Sequence, residues 1–545
     1  MEDKQVVGLR TLVQTGGTLG ASVVDAVGLM EVRPSPGGRA AEVRVLARLS
    51  VRADTRQNTV FIDVPVVRMR KLDTGAALVP TGWGIDSVEA GESARWTLSE
   101  DPPGVDLAHR PGMRRLTVVL AKPLEPGARQ DIVVSWHQTV PYARVDINAN
   151  HVAYHGEATP LLPALPRLAG DDGRFPYGLE VWAPPDAAIV LSGGDEVSRG
   201  ERDGLVGVGA HGVVGGQAAV VVGNLKADQA VRSRSLTRRS APGLAAQLDG
   251  LALPVWSWTG WTMGRLDLVE LPPSWGPPEP FAAEGVAGVR TGLALPTSHP
   301  LHGRPWSALP DLDTVLVAES ALAAVLAGLA GSDLEAGIWV DAFARSFGLS
   351  VIPPSSALPW REALQNCTLT PGSRGPALAP KAVVGTGFQG LAARCAMPLV
   401  LGPMLDDRLG HDGAMRVRRA ALAPGLLRED AVVKAVLRED PTAADWAQRW
   451  LTEGHVAKVW LETEVVQADV GWQVSGTVVS DSPLAGAPVT VRLRRGRFTQ
   501  DVTVDGTGSF VATVPYRPWR IVLDPDHRLL AVPPSARATE SQMMH

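Results

Sequence analysis

Cysteine is nearly missing from this chain, with only Cys367 and Cys395 among 545 residues. Two are too few for a disulfide framework and too few for a thiolate metal site, so a reducing compartment is the expected setting. An excess of basic charge is missing too. Fifty-two Lys and Arg stand against 57 Asp and Glu, giving a net charge of -5 and a pI near 6.2. Nothing supplies the long-range positive field that phosphate backbones select, which argues against nucleic acid as a partner. Long apolar runs are also absent. The run ALAAVLAGLAG at 321–331 falls short of the ~18 residues that span a bilayer. The N-terminal MEDKQVVGLRTLVQTGG holds no apolar core ahead of a small-residue cleavage site, so no export signal is expected. These absences predict a cytoplasmic protein without direct membrane insertion.

What is present is ordinary folded composition, 45% hydrophobic and 20% charged, long enough for three or four units at about 150 residues each. The Arg-rich, Lys-poor, Ala/Gly/Val-heavy usage resembles that of high-GC bacterial proteins. From about 10 to 225 the hydrophobic period is two. In AEVRVLARLSVR, Val43, Val45, Ala47, Leu49 and Val51 share one side while charged residues take most of the other, the mark of a half-buried strand. Similar runs recur at TVFIDVPVV, RRLTVVLAKPL, QDIVVSWHQTV, YGLEVWAPP and AAVVVGNL. After a basic, polar connector at 231–243 the period becomes helical, with runs at 312–330, 334–348, 385–408, 412–422, 429–438 and 442–454. The Trp- and Pro-rich stretch 254–306, with Trp256, Trp258, Trp261, Trp275 and Trp306, reads as irregular walls. Alternation returns from 457 in KVWLETEVV, WQVSGTVV, PVTVRLRR and SFVATVP, as expected of a small β-sandwich. The expected fold is multidomain α+β. A large antiparallel β domain covers 1–230, a mainly helical domain 231–455 and a C-terminal β-sandwich 456–535, with a tail at 536–545.

The stretch VLVAESALAAVLAG at 315–328 is apolar nearly all round, with Glu319 and Ser320 as its polar side chains. Such a helix is expected to be buried on every side, and an unpaired charge there is costly, so Glu319 needs a reason. A zinc helix of the His-Glu-x-x-His type would provide one, because its glutamate takes a proton from the metal-bound water.

Several stretches resemble the gluzincin zinc aminopeptidases, the alanyl and puromycin-sensitive aminopeptidase group, and together they span essentially the whole chain. GRLDLVELP (264–272) resembles the strand entering the family's catalytic domain, AESALAAVLAG (318–328) its zinc helix, and GIWVDAFARSFG (337–348) the helix after it. RCAMPLVLGPMLDDRLGHDGAMR (394–416), AADWAQRWL (443–451) and WRIVLDPDHRLL (519–530) resemble later elements. The resemblance implies a saddle-like N-terminal sheet, a thermolysin-like middle domain and a peptidase site. The departures bear on that site. With Glu319 on the general-base position, Ala318 and Leu322 fall where the two zinc histidines belong, and the third ligand falls at Asp341, or at Ala342 if Trp339 sets the register. Zinc needs at least three protein ligands, so no family-type metal centre and no cofactor are expected. EGVAGVRTG (284–292) occupies the region of the family's amine-anchoring segment without its pattern, leaving only Glu284 as a candidate. The four tyrosines, Tyr142, Tyr154, Tyr177 and Tyr516, all lie outside the helical domain, so the family's oxyanion donor is missing as well.

Metal position, amine anchor and oxyanion donor are therefore lost together. The expectation is a catalytically inactive, aminopeptidase-like scaffold working with protein partners, a membrane transporter complex among the options. Two rivals stay open. One is a hydrolase rearranged around Glu319, Asp341 and His299 or His302, the latter two spaced i, i+3 in SHPLHG. The other is a peptide-binding module using the dead cleft. His151 and His155 read as surface residues, GGTLG at 16–20 as a turn, and neither cysteine carries a catalytic signature.

Overall fold

The computed structural model describes residues 20–36, 40–66, 69–70, 77–78, 82–91, 94–98, 112–141, 162–163, 165–168, 175–192, 194–214, 219–223, 225–237, 241–261, 265–271, 282–290, 301, 309–330, 334–368, 394–423, 427–453 and 456–532. They fall into two compact units. The first takes in those within 1–253, 262–299 and 320–337, the second those within 254–261, 300–319 and 338–545.

In the first unit the alternating runs become strands. Ala40–Ala53 buries Val43, Val45, Ala47, Leu49 and Val51 to 2% exposure or less and turns Arg44, Arg48 and Arg52 outward. It sits inside a seven-stranded sheet ordered Gly194–Arg202, Leu205–Val214, Phe175–Ala183, Ala21–Pro34, Ala40–Ala53, Arg129–Pro141 and Gly84–Glu89. All its neighbours are antiparallel except Ala21–Pro34 beside Phe175–Ala183. A four-stranded sheet, in the order Arg167–Leu168, Gln57–Val66, Gly112–Leu124 and Arg95–Leu98, contributes Ile62, Val64, Leu116 and Val118 to the same core as Met30, Leu49 and Trp136.

The same unit holds a five-stranded sheet ordered Lys226–Gln229, Ser233–Thr237, Leu266–Leu271, Val286–Arg290 and Ala282–Ala283. Its three central strands are parallel. The basic connector expected at 231–243 is therefore partly a strand. Arg234, in its middle, forks onto the buried Asp267 with N–O distances of 3.1 and 2.8 Å, so this charge serves a sheet and not a linker.

The helical runs largely appear in place: Leu312–Ala330, Leu334–Ser350, Glu429–Glu439 and a distorted helical stretch from Pro441 to Glu453. Three readings change. A helix at Pro354–Thr368, hidden in the sequence by Pro354 and Pro359, buries Trp360, Leu364 and Cys367. Trp256 and Trp258 lie on the helix Ala252–Thr259, not in irregular walls. The runs at 385–408 and 412–422, where described, are one continuous helical path from 394 to 421, broken only locally by a π-turn at Val400–Met404 and by Gly410.

Cys367 and Cys395, expected as reduced thiols, are joined by a disulfide with their Cα atoms 6.0 Å apart. Helix packing brings together two residues whose sequence separation of 28 gave no sign of pairing, and the case for a reducing compartment loses its support. In the second unit, strands Ser509–Val514, Trp472–Ser480, Ala457–Gln467 and Ala531–Val532 form one sheet, and Phe498–Asp505, Pro488–Arg495 and Arg520–Leu523 another. Among the described residues no helix is long and apolar enough to cross a membrane.

Candidate functional site

Glu319 lies on Leu312–Ala330, a helix that is apolar on nearly every face and correspondingly buried: Val315, Val317, Ala318, Ala321 and Leu322 are fully enclosed. Glu319 is itself only 6% exposed. Its side chain lies against Gly348 of the next helix, closely enough that a Cβ at Gly348 would stand 2.8 Å from Glu319 Cγ and 3.0 Å from the Val315 carbonyl oxygen. A glycine is needed here for close approach, since its φ lies outside the left-handed range.

Asp341 is on the same helix as Gly348 but seven residues earlier, about 10 Å along the axis at 1.5 Å per residue. The structure gives it an ionic neighbour, Arg394, whose Nε lies 3.9 Å from Asp341 Oδ2. Arg345, one turn beyond Asp341 and only 5% exposed, donates through Nη1 to the Arg394 carbonyl at 3.1 Å and ties the two helices together.

Arg418 is a further buried cation. It is 2% exposed, and its Nε and Nη2 donate to the Leu401 carbonyl, within the π-turn, at 3.2 and 2.9 Å. Its Nη1 pairs with Asp406 Oδ1 at 3.0 Å. The guanidinium stacks 4.4 Å over Trp258, which meets Phe347 edge-on at 5.3 Å. Sequence reasoning passed over Arg345, Arg394, Arg418 and Gly348. The one signal available was basic residues inside otherwise apolar helical runs, since such a charge must find a partner.

A zinc ion does not fit this donor set. The i, i+4 positions flanking Glu319 are Ala318 and Leu322, both with no exposed surface and no lone pair to offer, and Asp341 already faces a guanidinium. Ala342, the alternative third position, and Trp339 are fully buried. Among the described residues no three His, Cys, Asp or Glu side chains converge as a metal site would require.

Glu284 sits half-buried in the turn before Val286–Arg290, and the adjacent Gly285 N–H donates to the Ala324 carbonyl at 3.1 Å, so this turn does lie beside the Glu319 helix. Tyr177 is buried in the large sheet, where its hydroxyl donates to the Ser192 carbonyl, and Tyr516 is at a bend between strands Ser509–Val514 and Arg520–Leu523. His151, His155, His299, His302, Tyr142 and Tyr154 lie outside the described residues, as does most of GGTLG. Gly20, its last residue, is at a bend with φ near 75°.

This arrangement of sheets and helices is a known one, similar to the fold of solved M1 zinc metallopeptidases. The particular likeness is to M1 zinc metallopeptidase structures from Deinococcus radiodurans. One is 14% identical, covers 81% of this chain and 96% of its own, and has a TM-score of 0.55. A mutant bound to a Tyr-Ser-Ala substrate is 14% identical over 81% and 96%, with a TM-score of 0.52. At this identity the likeness speaks for the fold alone. Neither a protein-family model nor a curated protein matches the chain.

Proposed function

We propose that this chain is a catalytically inactive, aminopeptidase-like protein that works as a scaffolding and interaction subunit of a larger complex, a membrane transporter complex being one such assembly. The observation that carries the reading is the pair of fully buried apolar side chains, Ala318 and Leu322, one on each side of Glu319. Placing imidazoles there would demand new volume in an enclosed helix, and without them a divalent ion has too few donors. Arg394 beside Asp341 supports the same conclusion, because a guanidinium now supplies the positive charge that a carboxylate ligand would otherwise find in a metal.

The test combines metal analysis of the purified chain with hydrolysis assays on aminoacyl chromogenic substrates. The expected result is no stoichiometric zinc, and turnover that Glu319→Gln leaves at background. Stoichiometric zinc together with turnover abolished by Glu319→Gln would instead establish the rearranged hydrolase. Affinity purification from the native cell names the partner. A second reading, a peptide-binding module, draws on the fold shared with a structure solved with Tyr-Ser-Ala. It predicts saturable binding of that tripeptide without cleavage.

A further inference from the structure

One surface plays no part in the helical site. It lies at one end of the C-terminal strands, where the turn before Trp472, the hairpin at 495–498 and the segment 515–520 come together. Register places them side by side. Trp472 pairs with Val514, Arg495 pairs with Phe498 across its hairpin, and Arg494 pairs with Arg520.

Aromatic rings and cations meet here, the cations coming from the 495–498 hairpin and the 515–520 segment. Arg495 lies over Trp519 at 5.5 Å, Arg497 over Phe498 at 5.4 Å and Arg517 over Trp472 at 5.2 Å. The Phe498 and Tyr516 rings are 5.9 Å apart, which joins two of the turns. Trp519 is 66% exposed, Phe498 56% and Val470, at the tip of its turn, 82%. Trp96, Trp256 and Val231 are also exposed elsewhere, but here large apolar groups cluster with stacked cations, and a cluster left in water marks a contact surface.

Charge is the second observation. Arg494, Arg495, Arg497, Arg517 and Arg520 are exposed. Among the described residues the ion pairs of this sheet are made by Arg492, with Asp501 and Asp526. Asp469 is the acidic residue on the neighbouring turn. This end is therefore locally positive in a chain whose net charge is -5.

We propose that this end of the C-terminal strands docks on an anionic lipid surface. Trp519, Phe498 and Val470 enter the headgroup boundary, and the stacked guanidiniums stay at phosphate depth, as amphipathic side chains do at such interfaces. The geometry favours lipid over other anions. Single-stranded nucleic acid needs open ring faces for base stacking, and here three rings already carry a guanidinium. An acidic peptide would pair with the arginines but leave Val470 unburied. The inference is independent of whether the chain hydrolyses peptides.

The test is co-sedimentation of the full chain with phosphatidylcholine vesicles, with and without phosphatidylglycerol. Binding is expected to the mixed vesicles only, weakening as salt rises. Arg495→Glu, Arg497→Glu and Arg517→Glu together should lower the partition by at least about a hundredfold, since losing each positive charge costs about fivefold and each new carboxylate adds repulsion. Trp519→Ala with Phe498→Ala should lower it at least about tenfold while leaving the salt dependence intact. The triple Arg→Lys variant, which keeps the charge, should still bind and shows that loss in the Glu variant is not misfolding. Absence of binding to mixed vesicles at low salt, or binding indifferent to both sets of substitutions, overturns the proposal. So does capture by poly-glutamate or a DNA oligonucleotide, sensitive to the same variants, in a chain that ignores vesicles.

Discussion

Gly348→Ala adds one methyl group at the point where two helices touch. Its Cβ would stand 2.8 Å from Glu319 Cγ, 3.0 Å from the Val315 carbonyl oxygen and 3.2 Å from Val315 Cγ1, against an optimal carbon–carbon separation of roughly 3.5–4.0 Å. In an open helix the change would stabilise by up to about 1 kcal/mol. Overpacking here costs about 1–3 kcal/mol, and the cost prevails because the Val315 carbonyl belongs to a helix backbone and cannot rotate away. The variant should lose up to about 2 kcal/mol of local stability, the difference of these two effects. In a Glu319→Ala background the nearest clash disappears while the carbonyl contact persists, so the two changes should couple by about 0.5–1 kcal/mol. Hydrogen exchange of amides in Leu312–Ala330 and Leu334–Ser350 reads these opening energies directly. Additivity within about 0.3 kcal/mol, or outright stabilisation by Gly348→Ala, would show that Glu319 does not face Gly348.

Three further outcomes follow from the second unit. Arg418→Met keeps the length of the side chain but strips Leu401 O and Asp406 of their partner. Thermal or urea unfolding should show a loss of about 2–4 kcal/mol, below the value for a fully buried pair because Asp406 keeps some contact with water. Peptide mapping without reductant should recover Cys367 linked to Cys395, and opening the 28-residue separation with reductant should destabilise the unit by about 3–4 kcal/mol on a loop-entropy basis. Asp524 is half-buried, and desolvation raises its carboxyl above the usual range although the Arg528 and Leu529 amides donate to it. A raised folded-state value means stability that is full below the unfolded carboxyl range and lost as pH rises through the folded one. Asp524→Asn should therefore lose ground to the parent as pH falls from neutrality in paired melting curves. A constant difference would show that the carboxyl is not held high.

Where the physics is local, the sequence was readable. Strict alternation across 40–53 has one solution, a strand with its aliphatic side inward, and the apolar 312–330 run has one solution, an enclosed helix. Where a segment's character depends on a distant partner, reading failed. Ser233–Thr237 looked like a basic linker because the carboxylate that neutralises Arg234 is Asp267, on another strand. Phe498–Asp505 went unnoticed since it is nearly all polar and exposed, buries Val504, and is held by pairing with Pro488–Arg495. Pro354–Thr368 was masked by prolines that its helix tolerates because Trp360 and Leu364 anchor it in a core.

The candidate site divides along the same line. Ala318 and Leu322 lack donor atoms whatever surrounds them, and that much was legible from residue type alone. What surrounds Glu319 and Asp341 was a tertiary matter: Gly348 against one, Arg394 beside the other, and two cysteines brought within bonding distance. Side-chain chemistry and hydrophobic period are properties of a few consecutive residues and are written in their order. Which charge meets which countercharge depends on how helices far apart in the chain pack, and that is decided only when the whole core closes.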